Sequence, residues 1–243
     1  MCMDDLFPQA GRARMVVPPP IALMGTGIDN PEPAMLARMD PDHVFMMGDN
    51  PALLRMPEKP KLLDFFRRRC MDITFRHLMM SGKRALDQGC DDKTVLACLL
   101  HDISNGVLIR SDHGYWGAQM IAPYVDEEVA FAVQYHQPLR YFADEAAGYT
   151  YPESYDRFFG PDFEPPEYIR RDAEYARGHR WYGMARQVTI NDVYFFDQYT
   201  PIDPEIFSDV IGRCFREPEE GLGFDRSPSA HMWRSVIWPN NFL

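Results

Sequence analysis

The sequence predicts an all-α protein. Apolar residues recur at three- and four-residue spacing through most of residues 61–216. Alternating strand-like patterns are scarce. The periodic stretches also start and stop at helix signals, with acidic residues in front and Gly or Pro behind. At 243 residues, 46% apolar and 25% charged, the chain is long enough to bury a full core as one domain. Three parts are expected: an irregular N-terminal arm (1–60), a helical domain (61–216) and a C-terminal tail packed on it (217–243).

Taken in order, the arm is rich in Pro, Gly and Met, and its run Pro18-Pro19-Pro20 favours an extended backbone. It is expected to lie on the body or on a partner subunit, the latter making a homo-oligomer. His43 reads as a surface or turn residue. From Lys61 to Gln88 the spacing of Leu62, Phe65, Phe66, Cys70, Ile73, Leu78 and Met79 predicts one long helix, stopped by Gly89. Arg67-Arg68-Arg69 and Arg76 read as its solvated face. Asp91-Asp92 opens a second helix through Val95, Leu96, Cys98, Leu99 and Leu100, and Asn105-Gly106 is expected to end it. Further helices are expected from His113 and after Asp126-Glu127-Glu128. Pro138 places His136 at the end of the latter. Residues 148–168 hold four prolines and seven aromatics and read either as a lid or as a packed excursion. The remaining helices are expected over 167–177, over 182–199 with Asp192 inside, and over 204–216 with Ile206, Val210 and Ile211 packed. Trp233 and Trp238 are expected to tie down the tail.

The net charge of −11 and pI near 5.0 argue against a nucleic-acid partner, which would need a basic face, and against an anionic membrane surface. No apolar run reaches bilayer-spanning length. Met1-Cys2-Met3-Asp4-Asp5 lacks the basic-then-apolar order of a signal peptide, so a cytoplasmic protein is expected. Its five cysteines (Cys2, Cys70, Cys90, Cys98, Cys214) form no CxxC pair and read as reduced thiols, with Cys70 and Cys98 in the core.

The chemistry is organised around Leu99-Leu100-His101-Asp102. Burying an imidazole beside a carboxylate is costly unless a cation sits between them. An isolated pair of this kind reads as a core histidine and a helix-end aspartate, but this pair has company. His77 precedes His101 by 24 residues, and His113 follows it by 12; His136 comes 23 later, and Asp192 a further 56. Four imidazoles and two carboxylates suit a two-metal site with an aspartate as bridge. Consecutive helical residues point about 100° apart, which lets His101 hold one ion while Asp102 leans towards a second. Such ligands suit iron, manganese, zinc and other first-row ions. His179 and His231 stand at no ligand spacing and read as structural.

His77, His101-Asp102, His113, His136 and Asp192 together resemble the ligand set of the HD-domain superfamily, over about residues 70–200. Within it the chain is most similar to the mixed-valent di-iron oxygenase branch, which includes myo-inositol oxygenase and the organophosphonate-cleaving oxygenases. Most ligand spacings are similar, and His136-Gln137-Pro138-Leu139-Arg140-Tyr141-Phe142 looks like the phosphonate enzymes' His followed by a basic-aromatic stretch. The resemblance implies an HD-type helical bundle. It also implies two iron ions (Fe2+/Fe3+), or Mn2+ or another divalent metal as the alternative. His77, His101 and Asp192 would hold one ion, His113 and His136 the other, with Asp102 bridging and Asp102, His113 and His136 nearest the chemistry. Asn105 stands where many relatives carry Lys or His, and Phe196 where myo-inositol oxygenase has Lys, so inositol is not the expected substrate. The spacing from His101 to His113 is also short for the family.

The expected activity is therefore O2-dependent oxidation and cleavage of a small polar, anionic substrate. Arg140 is the candidate for the anionic group, because a planar guanidinium binds carboxylate or phosphonate bidentately; its bland reading is a surface arginine. Asn105 is the candidate donor to a substrate hydroxyl. The alternative is a metal-dependent phosphohydrolase of the same superfamily, in which a metal-activated water attacks phosphorus. The third reading is a non-catalytic HD binding module, against which the retained buried charges argue.

Overall fold

Helices make up the body of the protein throughout the residues that the computed structural model describes: 61–70, 72–107, 112–192 and 200–216. Expectations for the arm, the tail, His43, Phe196, His231, Trp233 and Trp238 lie outside these residues. No strand occurs among the described residues; an isolated antiparallel bridge joins Asp144 to Tyr149.

The centre is α3 (Asp92–Leu100). Asp91 caps it as the sequence predicts, its carboxylate accepting the Thr94 N–H at 2.8 Å. Every residue from Thr94 to Leu100 is buried. A helix apolar on all sides has to be surrounded by others, and this one carries His101 and Asp102 into the interior at its end. The chain keeps turning there: His101 has α dihedrals, and α4 (Ile103–Val107) follows at once. Asn105 and Gly106 therefore sit inside a short helix and do not terminate the preceding one.

The long helix expected over 61–88 is two helices, α1 (Leu62–Arg69) and α2 (Asp72–Asp87), separated by extended backbone at Cys70 (φ −77°, ψ 139°). The reason lies in the phase of the apolar residues. α1 buries Leu62, Phe65 and Phe66, whereas α2 buries Thr74, His77, Leu78, Ser81 and Ala85. On one continuous helix at 100° per residue these stripes would lie roughly 120° apart. Breaking at Cys70 lets both face the core. It leaves Ile73, expected inside, 52% exposed, and Cys70 only partly buried. Arg67 and Arg76 lie on the outer face in ion pairs with Glu205 and Asp72, worth little each.

Helix α5 (His113–Ile121) begins at His113, and α6 (Glu127–Leu139) carries His136. Helix α6 packs against α3, α5, α8 (Glu167–Arg177) and α9 (Tyr182–Asn191). It does not stop at His136 but runs through Pro138 to Leu139. Proline there removes one donor and leaves the Gln134 carbonyl without its helical partner. That carbonyl faces Gly114 of α5, where a Cβ would stand 2.6 Å from it and 3.0 Å from the Val133 oxygen. Gly114 is thus what lets α5 lie directly on the α6 backbone. Gly114→Ala is expected to cost about 1–3 kcal/mol as α5 is pushed outward. Since α5 starts with His113, metal content should fall as well; thermal unfolding and metal analysis of the variant check both.

Two more boundaries differ from expectation. Helix α9 ends at Asn191, so Asp192 is the first residue beyond it (φ −74°, ψ 84°), not a mid-helix residue. The last helix is a 3-10 turn, Pro204–Phe207, followed by α10 (Ser208–Cys214). It buries Phe207, Val210 and Ile211 and leaves Ile206 42% exposed. The 148–168 segment is a packed excursion containing α7 (Ser154–Phe159), with Tyr155 buried and Phe159 stacked on Phe163.

Candidate metal centre

Four helix ends converge on one buried cluster. His77 projects from the middle of α2, His101 and Asp102 from the turn after α3, His113 from the start of α5, His136 from the last turn of α6 and Asp192 from the exit of α9. All six are at most 5% exposed. The cluster has two overlapping groups suited to hold a metal ion: His77, His101 and Asp192, and His101, Asp102 and His136.

In the first group His77 Nε2 lies 2.9 Å from His101 Nε2 and 3.1 Å from Asp192 Oδ1. His101 Nε2 lies 3.4 Å from the same oxygen. Ligand atoms about 2.1 Å from one ion and about 90° apart lie ~3.0 Å from each other, which these separations match. Across the cluster, His113 Nε2 and His136 Nε2 are 3.3 Å apart. Asp102 stands between. Its Oδ1 lies 3.1 Å from His113 Nε2 and 3.6 Å from His136 Nε2, while Oδ2 lies 3.6 Å from His77 Nε2.

The protons are placed by the backbone. His101 Nδ1 is 2.8 Å from the Cys98 carbonyl and His136 Nδ1 is 2.6 Å from the Val133 carbonyl. A carbonyl only accepts, so each Nδ1 carries hydrogen and each Nε2, turned inward, is the atom that would bind a metal. Asp102 Oδ1 and both oxygens of Asp192 are sealed from solvent, and their near neighbours are the imidazole nitrogens of the cluster. Buried anionic oxygens grouped with imidazole nitrogens at these separations could hold a metal ion. The donor set fits a first-row metal.

Electrostatics point the same way. Burial opposes charge on Asp102, but the His113 and His101 imidazoles outweigh it and hold the carboxyl well below the usual range. Asp192 is likewise held down, against its burial, by His101 and His77. Burial pushes His136 down to about 4, which keeps it neutral near pH 7. Burial also opposes a proton on His101, yet Asp102 and Asp192 prevail and raise it to about 9. Without a metal, a His101 imidazolium therefore faces the two carboxylates, and a bound ion would take that proton's place.

The residues read from sequence as substrate contacts have other partners here. Asn105 Nδ2 donates to Asp102 Oδ2 at 3.1 Å and so orients the central carboxylate. Arg140 is no surface arginine: at 9% exposure it donates to Tyr141 Oη at 2.9 Å. Its guanidinium also lies 5.0–5.7 Å from the ring centres of Tyr141, Tyr155 and Phe159. His179 stacks on Phe131 with ring centres 4.2 Å apart, a packing role. Sequence reasoning missed Arg186, which is 2% exposed and donates to the Leu139 carbonyl at 3.1 Å and to Tyr182 Oη at 3.0 Å. It ties α9 to the end of α6. An arginine amid Ala185, Val188 and Ile190 on a helix was its only signal. Comparison of the chain with family models, with curated proteins and with solved structures finds no match.

Proposed function

We propose that this chain is a dinuclear metal-dependent oxygenase of the HD-domain type, acting on a small polar, anionic substrate with O2. The observation that carries the proposal is Asp102, whose two oxygens face different histidines on opposite sides of one buried cluster. His77, His101 and Asp192 would hold one ion, His113 and His136 the other, and Asp102 would touch both. The four-imidazole set favours first-row transition ions over Mg2+ or Ca2+, which prefer oxygen ligands. When bound, the iron pair supplies one-electron redox chemistry and O2 activation, which no side chain here can provide.

The protein's own contributions are positioning and exclusion of water. The Cys98 and Val133 carbonyls fix the two rings, and Asn105 fixes the bridging carboxylate. Full burial of the ligands keeps their electrostatics strong and excludes side reactions. Arg140, one turn beyond His136, braces the aromatic excursion over residues 148–163 and is the nearest candidate in sequence for an anionic substrate group.

The test is reconstitution of the apoprotein with ferrous ion plus a mild oxidant, with Mn2+, or with Zn2+. Only the iron form is expected to consume O2 with a panel of small acids and phosphonates, and Mössbauer spectra of that form should show a coupled pair. Phosphate release from nucleotides by the manganese form, independent of O2, would overturn the proposal in favour of the phosphohydrolase.

A further inference from the structure

A cavity of about 310 Å3 opens between α5, α6 and α8. None of the six candidate metal ligands lines it. Gln134, Gln137 and Pro138 share one face of α6 by their spacing, and this face, which does not include His136, forms one wall. The walls combine aromatic rings with carboxylates: Tyr115, Trp116 and Tyr168 are 46%, 36% and 43% exposed, and Asp112 and Asp172 stand among them.

Neither carboxylate pairs with a cation among the described residues. Asp112 Oδ1 accepts the Tyr168 hydroxyl at 3.0 Å, which leaves Oδ2 available. A third group also points to a ligand. Gln137 is 92% buried, being 8% exposed, and its Oε1 accepts the Gly114 N–H at 3.0 Å. A backbone N–H can bond only the oxygen, so the amide orientation is settled and Nε2 faces the other way. That nitrogen has no partner among the described residues, and it is not among the polar atoms sealed from solvent. It therefore meets the open space of the cavity its side chain lines.

Negative charge and aromatic faces attract a cation together, and exposed rings favour a weakly hydrated one over a compact inorganic ion. The free amide N–H asks for an acceptor on the same ligand. We propose that this cavity binds a small organic cation, an ammonium or quaternary ammonium bearing a hydroxyl or carbonyl, at a site separate from the metal centre. The volume, at the low end of ligand pockets, limits the ligand to a small molecule.

The experiment is titration of the full chain with choline, with ethanolamine, and with 3,3-dimethylbutanol, the uncharged isostere of choline. Trp116 lines the cavity, so tryptophan fluorescence reports occupancy, with calorimetry as a second readout. One or both cations are expected to saturate the site while the isostere binds at least about tenfold more weakly. Asp172→Asn and Trp116→Leu, both at solvent-reached positions, should each weaken cation binding by about tenfold without changing bound metal. The result should be the same after chelation, so a failed oxygenase assay leaves it untouched. Equal binding of the isostere, displacement by Mg2+ as effective as by choline, undiminished binding in both variants, or no saturation by either cation would overturn it.

Discussion

Replacing His113 with alanine is expected to leave one bound ion in place of two and to abolish O2 consumption while the fold survives. The imidazole stands 3.1 Å from Asp102 Oδ1 and 3.3 Å from His136 Nε2, so its loss removes a ligand from one side of the cluster only. The group His77, His101 and Asp192 stays intact on the other side. Changes in the partners around metal ligands already cost about 10–100-fold, so losing a ligand should cost at least roughly 100-fold in activity. Stability should change far less. Helix α5 keeps Gly117, Ala118, Met120 and Ile121 in the core, and a single truncation of this size costs about 1–2 kcal/mol, or roughly 2–8 °C in Tm. Metal analysis, O2 uptake and thermal unfolding of one preparation check all three parts. Two ions retained with full uptake would remove His113 from the centre.

What could be read from the sequence follows the kind of physics each feature rests on. Local patterns were legible: the Asp91 cap, the 167–177 helix with its alternating buried and charged faces, and the start of α5 at His113. So was the meeting of the six ligand candidates, because a buried His-Asp pair needs compensation wherever the chain supplies it. Features that depend on a neighbour were not. The break at Cys70 shows only as a phase shift between Leu62-Phe65-Phe66 and the later stripe, which the generous helical spacing of the whole stretch conceals. Asp192 leaves the helix where its apolar surroundings suggest continuation. The carbonyl that Pro138 frees lies against Gly114 of α5, a contact between residues far apart in sequence. Arg140 is charged and stands two residues after Pro138, and a surface reading competes evenly with that of a substrate contact. Its burial depends on rings supplied by Tyr155 and Phe159, up to 19 positions further along the chain.

The largest expected effect on stability is a metal-dependent loss at Asp102. With metal bound, the carboxylate neutralises ions on both sides, and Asp102→Asn removes that charge while keeping shape and an acceptor oxygen. A ligand present at about 1,000 times its Kd stabilises a protein by about 4 kcal/mol, or roughly 8–16 °C for a domain of this size. The variant should lose most of that stabilisation. With metal removed the balance is different. Asp102 and Asp192 are then both held ionised by the surrounding imidazoles, and His101 is raised to about 9. A carboxylate whose pKa the fold lowers contributes stability above its ordinary pKa, so the asparagine forfeits that contribution, a smaller loss than that of bound metal. Asp102→Asn should therefore melt far below the wild type when both are loaded, and only somewhat below it when both are held in chelator at neutral pH. Thermal unfolding of the two proteins in the two conditions, anaerobically where iron is used, reads the difference directly. Equal destabilisation in both conditions would mean that Asp102 serves packing and hydrogen bonding, with no metal to bridge.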